Sequence, residues 1–477
     1  MTTEDRSLEL SSDALRGLID AAAQRIVAHI ASLPDQPSAD TEGGAALARS
    51  LAEPIPQSGR PVNELLELLF TRVIPKGFNT AGPGYLAYIP GGGLPHSAVA
   101  DLIADAVNRY VGVFAAAPGL AQIESNVVRW FADLAGLPRA AGGILTSGGS
   151  LATFSALVAA RRDRLPENFF SGTLYASDQT HHALQKAALL AGFPPDNVRE
   201  IATDDAYCIR IPALAEAIAA DRAAGRTPFF VAGNAGTTNT GAVDDLEAIA
   251  ELAERERLWF HVDGAYGGFF LLTEEGRRRM AGIERADSIV LDPHKGLFLP
   301  YGTGALLVRD VETLRRAHAL SAEYLPSMQE DTDLVDFNML SPELSRDFRG
   351  LRVWLPLKMH GIGPFRANLE EKLSLARHAT RELARIPGIE ILAEPQLSIL
   401  AFRLARAGLG ASALDRINRD LLERINAKKR VYLTGTTLRG RFAIRICVLS
   451  FRTHRDRMDE GLDDIRAAIG EIPEESA

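Results

Sequence analysis

Four short stretches of this chain place reactive side chains directly behind apolar runs. In SIVLDPHKGLFLPYGTG, residues 288 to 304, the β-branched run from Ser288 to Leu291 stops at Asp292-Pro293-His294-Lys295. A lysine delivered to the end of a dry strand is expected to have a lowered pKa, which makes its amine nucleophilic toward a carbonyl. In LWFHVDGAYGG, Asp263 ends another apolar run. An uncompensated carboxylate is costly there, so a cation or a strong donor must meet it. Ala265 and the glycines after it leave room for a flat ring. TSGGSLATFSAL, from residue 146, reads as a strand end, a Gly/Ser turn and a helix start. Backbone N–H groups, a serine hydroxyl and the helix dipole then converge on an anion. The stretch matches neither GxxxxGK[ST] nor GxGxxG, so the nucleotide-binding signatures are missing. In SDQTHHALQKA, from residue 177, His181 stands at a helix start, where an imidazole can stack on a flat ring or simply cap and pack.

Taken singly, each stretch has a plainer explanation: a surface lysine, a capping aspartate, a tight turn capped by Ser150, a packed histidine. Jointly they supply an anion seat, a charge partner for a ring nitrogen, an amine for a carbonyl and a stacking face. Those are the demands of pyridoxal 5'-phosphate (PLP).

The elements that carry these residues alternate. GGILTS, GTLYAS, PFFVAGNAG, LWFHVDG, DSIVLD and GALLV are short strand-like runs, and helical runs follow several of them, from 151, 180 and 244. This predicts an α/β fold with a mainly parallel sheet flanked by helices, in which ligands gather at the carboxyl ends of the strands. A basic helical stretch from Arg346 to His360 closes that region. Beyond it two helices (366 to 385 and 411 to 427) and four strand-like runs predict a small C-terminal α+β domain. Ahead of it, residues 12 to 33 form an amphipathic pattern that Ser12 can cap and Pro34 stops; AGPGYLAYIPGGGLP (81 to 95) reads as loop, and 97 to 113 as helix. The expected division is an N-terminal helical dimerisation segment (1–115), a large cofactor-binding domain (116–364) and the small domain (365–477).

Composition narrows the partners. The 477 residues are 46% hydrophobic with a net charge of −9, and no basic block offers a surface to nucleic acid or anionic membrane. MTTEDRSLEL lacks the pattern of a secretory leader, and no apolar run reaches the ~18 residues of a membrane span. Cys208 and Cys447 stand far apart, so neither a disulfide framework nor a metal site is expected, and a reducing cytoplasm fits. A small soluble substrate is the expected ligand.

The sequence resembles the fold-type I PLP enzymes, and within them the group II amino-acid decarboxylases that include aromatic-L-amino-acid decarboxylase. The resemblance rests on TSGGS, SDQTHHALQKA, NAGTTNTGAVDD, WFHVDGAYGG, DPHKGL, RDFRGLRVWLPLKMHG and IRICVLSFRTH, in family order over most of the chain. It implies that Lys295 bonds the cofactor's carbonyl, Asp263 pairs with its ring nitrogen and Ala265 lies close to its ring. It further implies that His181 stacks on the ring, Gly149 and Ser150 bind phosphate, and Thr237, Asp292 and His294 complete the pocket. PGYLAYIPGGGLPH resembles the family's substrate-pocket segment, which places Tyr88, Ile89 and Pro90 near the substrate with Phe114; Gly91 to Gly93 depart from its usual small polar residues. Arg445 matches a family arginine near the site. Counted back without gaps from Phe348, Phe337 stands where decarboxylases of the family carry a proton-donating tyrosine, and Tyr324 is the alternative phenol. The implied activity is decarboxylation of an L-amino acid, aromatic by resemblance, in a homodimer with interfacial active sites. Phe337 raises the alternative of an aldehyde synthase, since phenylalanine has no proton to return. An aminotransferase or lyase, or a non-catalytic relative, are the remaining alternatives.

Overall fold

A computed structural model describes residues 8–319 and 334–473. After two two-residue strands, β1 (Ala39–Asp40) and β2 (Gly77–Phe78), seven strands build the central sheet. They are β3 (Gly142–Thr146), β4 (Gly172–Ser177), β5 (Val198–Ile201), β6 (Thr227–Asn234), β7 (Trp259–Gly264), β8 (Ser288–Leu291) and β9 (Gly304–Val308). Their order across the sheet is β3-β9-β8-β7-β6-β4-β5. Neighbours from β8 through β5 pair in parallel, and β9 alone runs against both of its neighbours.

The strands are apolar throughout because both faces of the sheet are covered. Side chains alternate across a strand, so Ile289 and Leu291 of β8 enter one apolar layer and Val290 the other. The first layer is closed by Val127 and Phe131 of the helix Pro118–Leu134 and by Ile249 and Ala253 of the helix Leu246–Glu256. The second is closed by Ala152, Ala156 and Ala159 of the helix Gly149–Arg164 and by Leu184 of the helix Ala183–Leu190. Small alanines let that second layer of helices lie close to the sheet.

The C-terminal sheet is antiparallel, in the order β10-β11-β13-β12, from β10 (Ile389–Ala393), β11 (Ile399–Leu404), β12 (Thr434–Leu438) and β13 (Arg441–Cys447). The helix Ala411–Ala427 lays Ile417, Leu421 and Ile425 on it at four-residue spacing, the buried stripe of an amphipathic helix.

Some expectations need correction. The first helix, Ser12–Ser32, is capped by Ser11, whose hydroxyl accepts the Ala14 N–H, so Ser12 is its first turn. The helix expected from Arg346 starts at Gly350. Arg346 and Arg349 are drawn inward ahead of it, because Arg346 pairs at 2.6 Å with Glu124, whose carboxylate is buried and also accepts the Gly350 N–H. The strand β5 and the helix Ile211–Ala223 add to the expected elements; β5 is a four-residue edge strand with a mixed burial pattern, which leaves little periodicity in the sequence.

Candidate active site

Register brings the reactive residues to one edge. Asn234 at the end of β6 pairs with Asp263 of β7, and Gly264 pairs with Leu291, the last residue of β8. Immediately after β8 the chain turns into the four-residue helix Pro293–Gly296, which carries His294 and Lys295. The Lys295 amine lies 2.8 Å from Oδ2 of buried Asp292. Burial pulls this amine's pKa down, but the carboxylates of Asp292 and Asp263 outweigh it and the net direction is up. The lowered pKa expected from the sequence is therefore corrected, because the carboxylates beside the amine favour its charged form.

The neighbouring groups have defined roles as donors and acceptors. Asp263 Oδ1 accepts the Ala265 N–H at 3.1 Å, which orients the carboxylate along the strand end. The Ala183 N–H donates to His181 Nδ1 at 3.2 Å, so the neutral ring carries its proton on Nε2. His294 Nδ1 donates to the Thr303 carbonyl at 2.6 Å, leaving Nε2 3.9 Å from Asp292 Oδ2. Burial lowers both histidine pKa values and favours neutral rings. The Thr237 hydroxyl shares a hydrogen bond with Thr240 at 2.8 Å.

A cavity of about 290 Å³ opens among these groups, and Gly149, Ser150, His181, Thr237, Asp263, Ala265, Asp292, His294 and Lys295 all line it. Ser147 to Ser150 sit where the helix Gly149–Arg164 begins, so its free N–H groups and positive end face the same space. No side chain caps that helix start, Ser150 included. Asn234, which the sequence did not single out, also lines the cavity and ties Ser177, Thr180 and Asp244 together through its amide. Burial pushes the Asp244 carboxyl up to about 6. The stretch NAGTTNTGAVDD contained both residues, and a polar pair bracketing a Gly/Thr turn was the available signal.

Other candidates lie elsewhere. Ile89 is packed in the main core and Pro90 is buried, whereas Tyr88 is exposed with φ of 49°. Phe114 packs on a separate cluster beneath the helix Pro95–Val107. None of these four lines the cavity. Arg445 is buried and donates to the carbonyls of Tyr88, Thr238 and Asn239 and to the Thr434 hydroxyl. Phe337 is 1% exposed, in the apolar layer behind the helix Gly149–Arg164, with the Arg346 guanidinium 5.2 Å from its ring. It does not line the cavity either. Tyr324 lies outside the described residues.

Comparison with known proteins decides the family. The pyridoxal-dependent decarboxylase conserved domain matches residues 46–405. This chain belongs to the pyridoxal-dependent decarboxylases. It is 34% identical to an aromatic-L-amino-acid decarboxylase of Bacillus atrophaeus over 98% of each chain. It is 29% identical to a phenylacetaldehyde synthase of Arabidopsis thaliana over 84% of this chain and 85% of that one. Among solved structures, Oryza sativa TDC with PLP and tryptamine superposes with a TM-score of 0.92 at 28% identity, covering 98% of this chain and 99% of that chain.

The residues of this decarboxylase fit its cofactor. Asp292, which lines the cavity, keeps its Oδ1 buried without a hydrogen-bond partner. A Cβ on Gly149 would meet Asp292 Oδ2 at 3.1 Å and Ala265 Cβ at 3.4 Å, so the glycine keeps open the space between the phosphate seat and the ring platform. The described residues contain no group of three or more metal-ligating side chains and no helix long and apolar enough to cross a membrane.

Proposed function

We propose that this enzyme decarboxylates an aromatic L-amino acid to the corresponding amine and carbon dioxide. The observation that carries the proposal is the convergence of Lys295, Asp292, Asp263 and the Ser147–Ser150 helix start on one cavity. Likeness to an aromatic-L-amino-acid decarboxylase along 98% of the chain supports the substrate class. When bound, the cofactor supplies a conjugated ring that takes up the electron pair left as the carboxylate departs.

The protein's own residues do the rest. The Ser150 hydroxyl and the N–H groups at Gly149 and Ser150 would hold the phosphate, with Thr237 beside it, and Ala265 and His181 would bracket the ring. Asp263, at the end of β7, would hold the ring nitrogen protonated with its carboxylate. The Lys295 ammonium would give up a proton to solvent before its amine can react, and Asp292 at 2.8 Å holds that nitrogen in place. His294, fixed by Thr303, offers a basic Nε2 toward the same place. Arg445 acts at a distance by holding the backbone of the substrate segment at Tyr88. Purified, PLP-loaded enzyme incubated with a panel of L-amino acids is expected to release amine from the aromatic members; release only from acidic or aliphatic ones would refute the substrate class.

Phe337 supports a second reading, the aldehyde synthase. There one oxygen and one water are consumed per substrate, and aldehyde, carbon dioxide, ammonia and hydrogen peroxide leave. Likeness to phenylacetaldehyde synthases agrees with it, whereas the burial of Phe337 away from the cavity does not.

The wider proposals are a cytoplasmic homodimer divided at about residues 115 and 364. Leu15, Leu18, Ile19, Ile26 and Val27 form an exposed stripe on the first helix, which buries no residue of its own, and a second copy of the chain would cover it. Sedimentation as a monomer would refute the dimer.

A further inference from the structure

The three glycines Gly91 to Gly93 and the tyrosine beyond the lysine belong to one structure. A Cβ on Gly91 would fall 2.8 and 2.9 Å from ring atoms of Tyr301. A Cβ on Gly92 would fall 2.5 to 2.7 Å from atoms of Phe298, three residues after Lys295, and Gly93 has φ of 61°. The loop is therefore glycine-only because it lies flat against the segment that carries the lysine. Its carbonyl at Gly92 is anchored by Arg452, which also holds Ala81. On this cradle the Tyr301 ring stands between Gly91 and His294, whose ring centroid is 5.6 Å away.

The phenol is oriented. The Gly91 N–H donates to the Tyr301 oxygen at 3.3 Å, and the Thr80 hydroxyl also faces it. With the oxygen accepting from its supports, the phenol's own proton is directed outward. Burial raises the pKa and keeps that proton in place, with the nearby Lys295 charge opposing. Yet the side chain is not enclosed: Tyr301 is 52% exposed, outside the cavity lining but next to the ring of His294, which lines it. A substrate whose amine is engaged near Lys295 would carry its side chain past His294, within reach of this ring.

We propose that Tyr301, seated on Gly91, is a specificity-determining residue that donates a hydrogen bond to a hydroxyl oxygen on the substrate's aromatic ring. The proposal rests on the aromatic decarboxylase function above and narrows it to hydroxylated rings. A bare phenyl ring has no acceptor for this proton, and an indole N–H can only donate.

The test compares wild type with Tyr301→Phe in the PLP-loaded enzyme, using L-tyrosine against L-phenylalanine for kcat and KM. Calorimetric binding of tyramine against phenethylamine adds a readout independent of turnover. Wild type is expected to favour the hydroxylated member of each pair, and Tyr301→Phe to reduce that preference about tenfold, the size of one hydrogen bond, mainly through KM and Kd. An unchanged melting temperature and cofactor absorbance in the variant separate this from misfolding. A preference that survives in Tyr301→Phe, or its absence in wild type, overturns the proposal. No release of carbon dioxide from any aromatic amino acid overturns instead the function on which it rests.

Discussion

At the floor of the cavity, Asp263 ends β7, and Asp292 and Lys295 directly follow the adjacent strand β8, whereas Tyr88, Gly91 and Tyr301, outside the cavity lining, form a rim of loops beside the site held by main-chain hydrogen bonds. The floor borrows its precision from the sheet. A shift of β8 by one residue would turn Ile289 and Leu291 out of one apolar layer and Val290 out of the other, so packing fixes where Lys295 emerges. The rim has no such register. It is held by two buried or half-buried arginines, Arg445 and Arg452, that grip carbonyls of the loop, and Tyr88 is left in a backbone conformation costly for a bulky residue. Chemistry common to a family can be built on the floor, while the rim is free to differ.

Substitutions at the floor are expected to destroy turnover. Lys295→Ala is expected to lose at least about 10³-fold in kcat together with the visible absorbance of lysine-bound cofactor. Retained activity in that variant would remove the lysine from the floor's chemistry. Asp263→Ala is expected to lose about 10²-fold or more in kcat, because no carboxylate then holds the ring nitrogen protonated. An unaffected rate would place Asp263 with the merely structural groups.

A pH test probes the packing that supports the floor. His261, two residues before Asp263, shares its Nδ1 with the Ser288 hydroxyl at 2.8 Å, and burial lowers its pKa from 6.5 to about 4. The folded state thus favours the neutral ring. Its contribution is complete above about pH 6.5 and is lost as pH falls toward 4, by up to about 3 kcal/mol. Denaturant titrations at pH 7 and pH 4.5 are expected to show this loss, with the part due to His261 missing in His261→Gln. A smaller effect is expected in the apolar layer behind the helix Gly149–Arg164. Phe337→Tyr places a hydroxyl in a dry layer and is expected to cost about 1–3 kcal/mol of stability with no change of product. A change in the amine-to-aldehyde ratio, with stability intact, would move residue 337 from the core to the rim.

The same contrast explains what the sequence revealed. Strand ends are legible because an apolar run followed by Asp, His or Lys violates ordinary burial, and Lys295, Asp263, Asp292, His294, His181, Gly149, Ser150, Thr237 and Ala265 meet in one cavity. Helices with strong periodicity were equally legible; Ala411–Ala427 has the expected bounds. Contacts between distant loops have no such signature. Nothing local says that Gly91 is a glycine because Tyr301, 210 residues on, lies against it, or that Phe337 packs beneath Arg346. The Lys295 pKa departs from the sequence expectation for the same reason, since burial is visible in the run before it while the balance of two carboxylates depends on geometry.

What leaves the site distinguishes decarboxylation to an amine from oxidative release of an aldehyde. Purified, PLP-loaded enzyme incubated in air with an aromatic L-amino acid can be assayed at once for carbon dioxide, amine, aldehyde, ammonia and peroxide. One amine for each carbon dioxide, with no peroxide, is the predicted result. Aldehyde, ammonia and peroxide in equal amounts, with little amine, would contradict it.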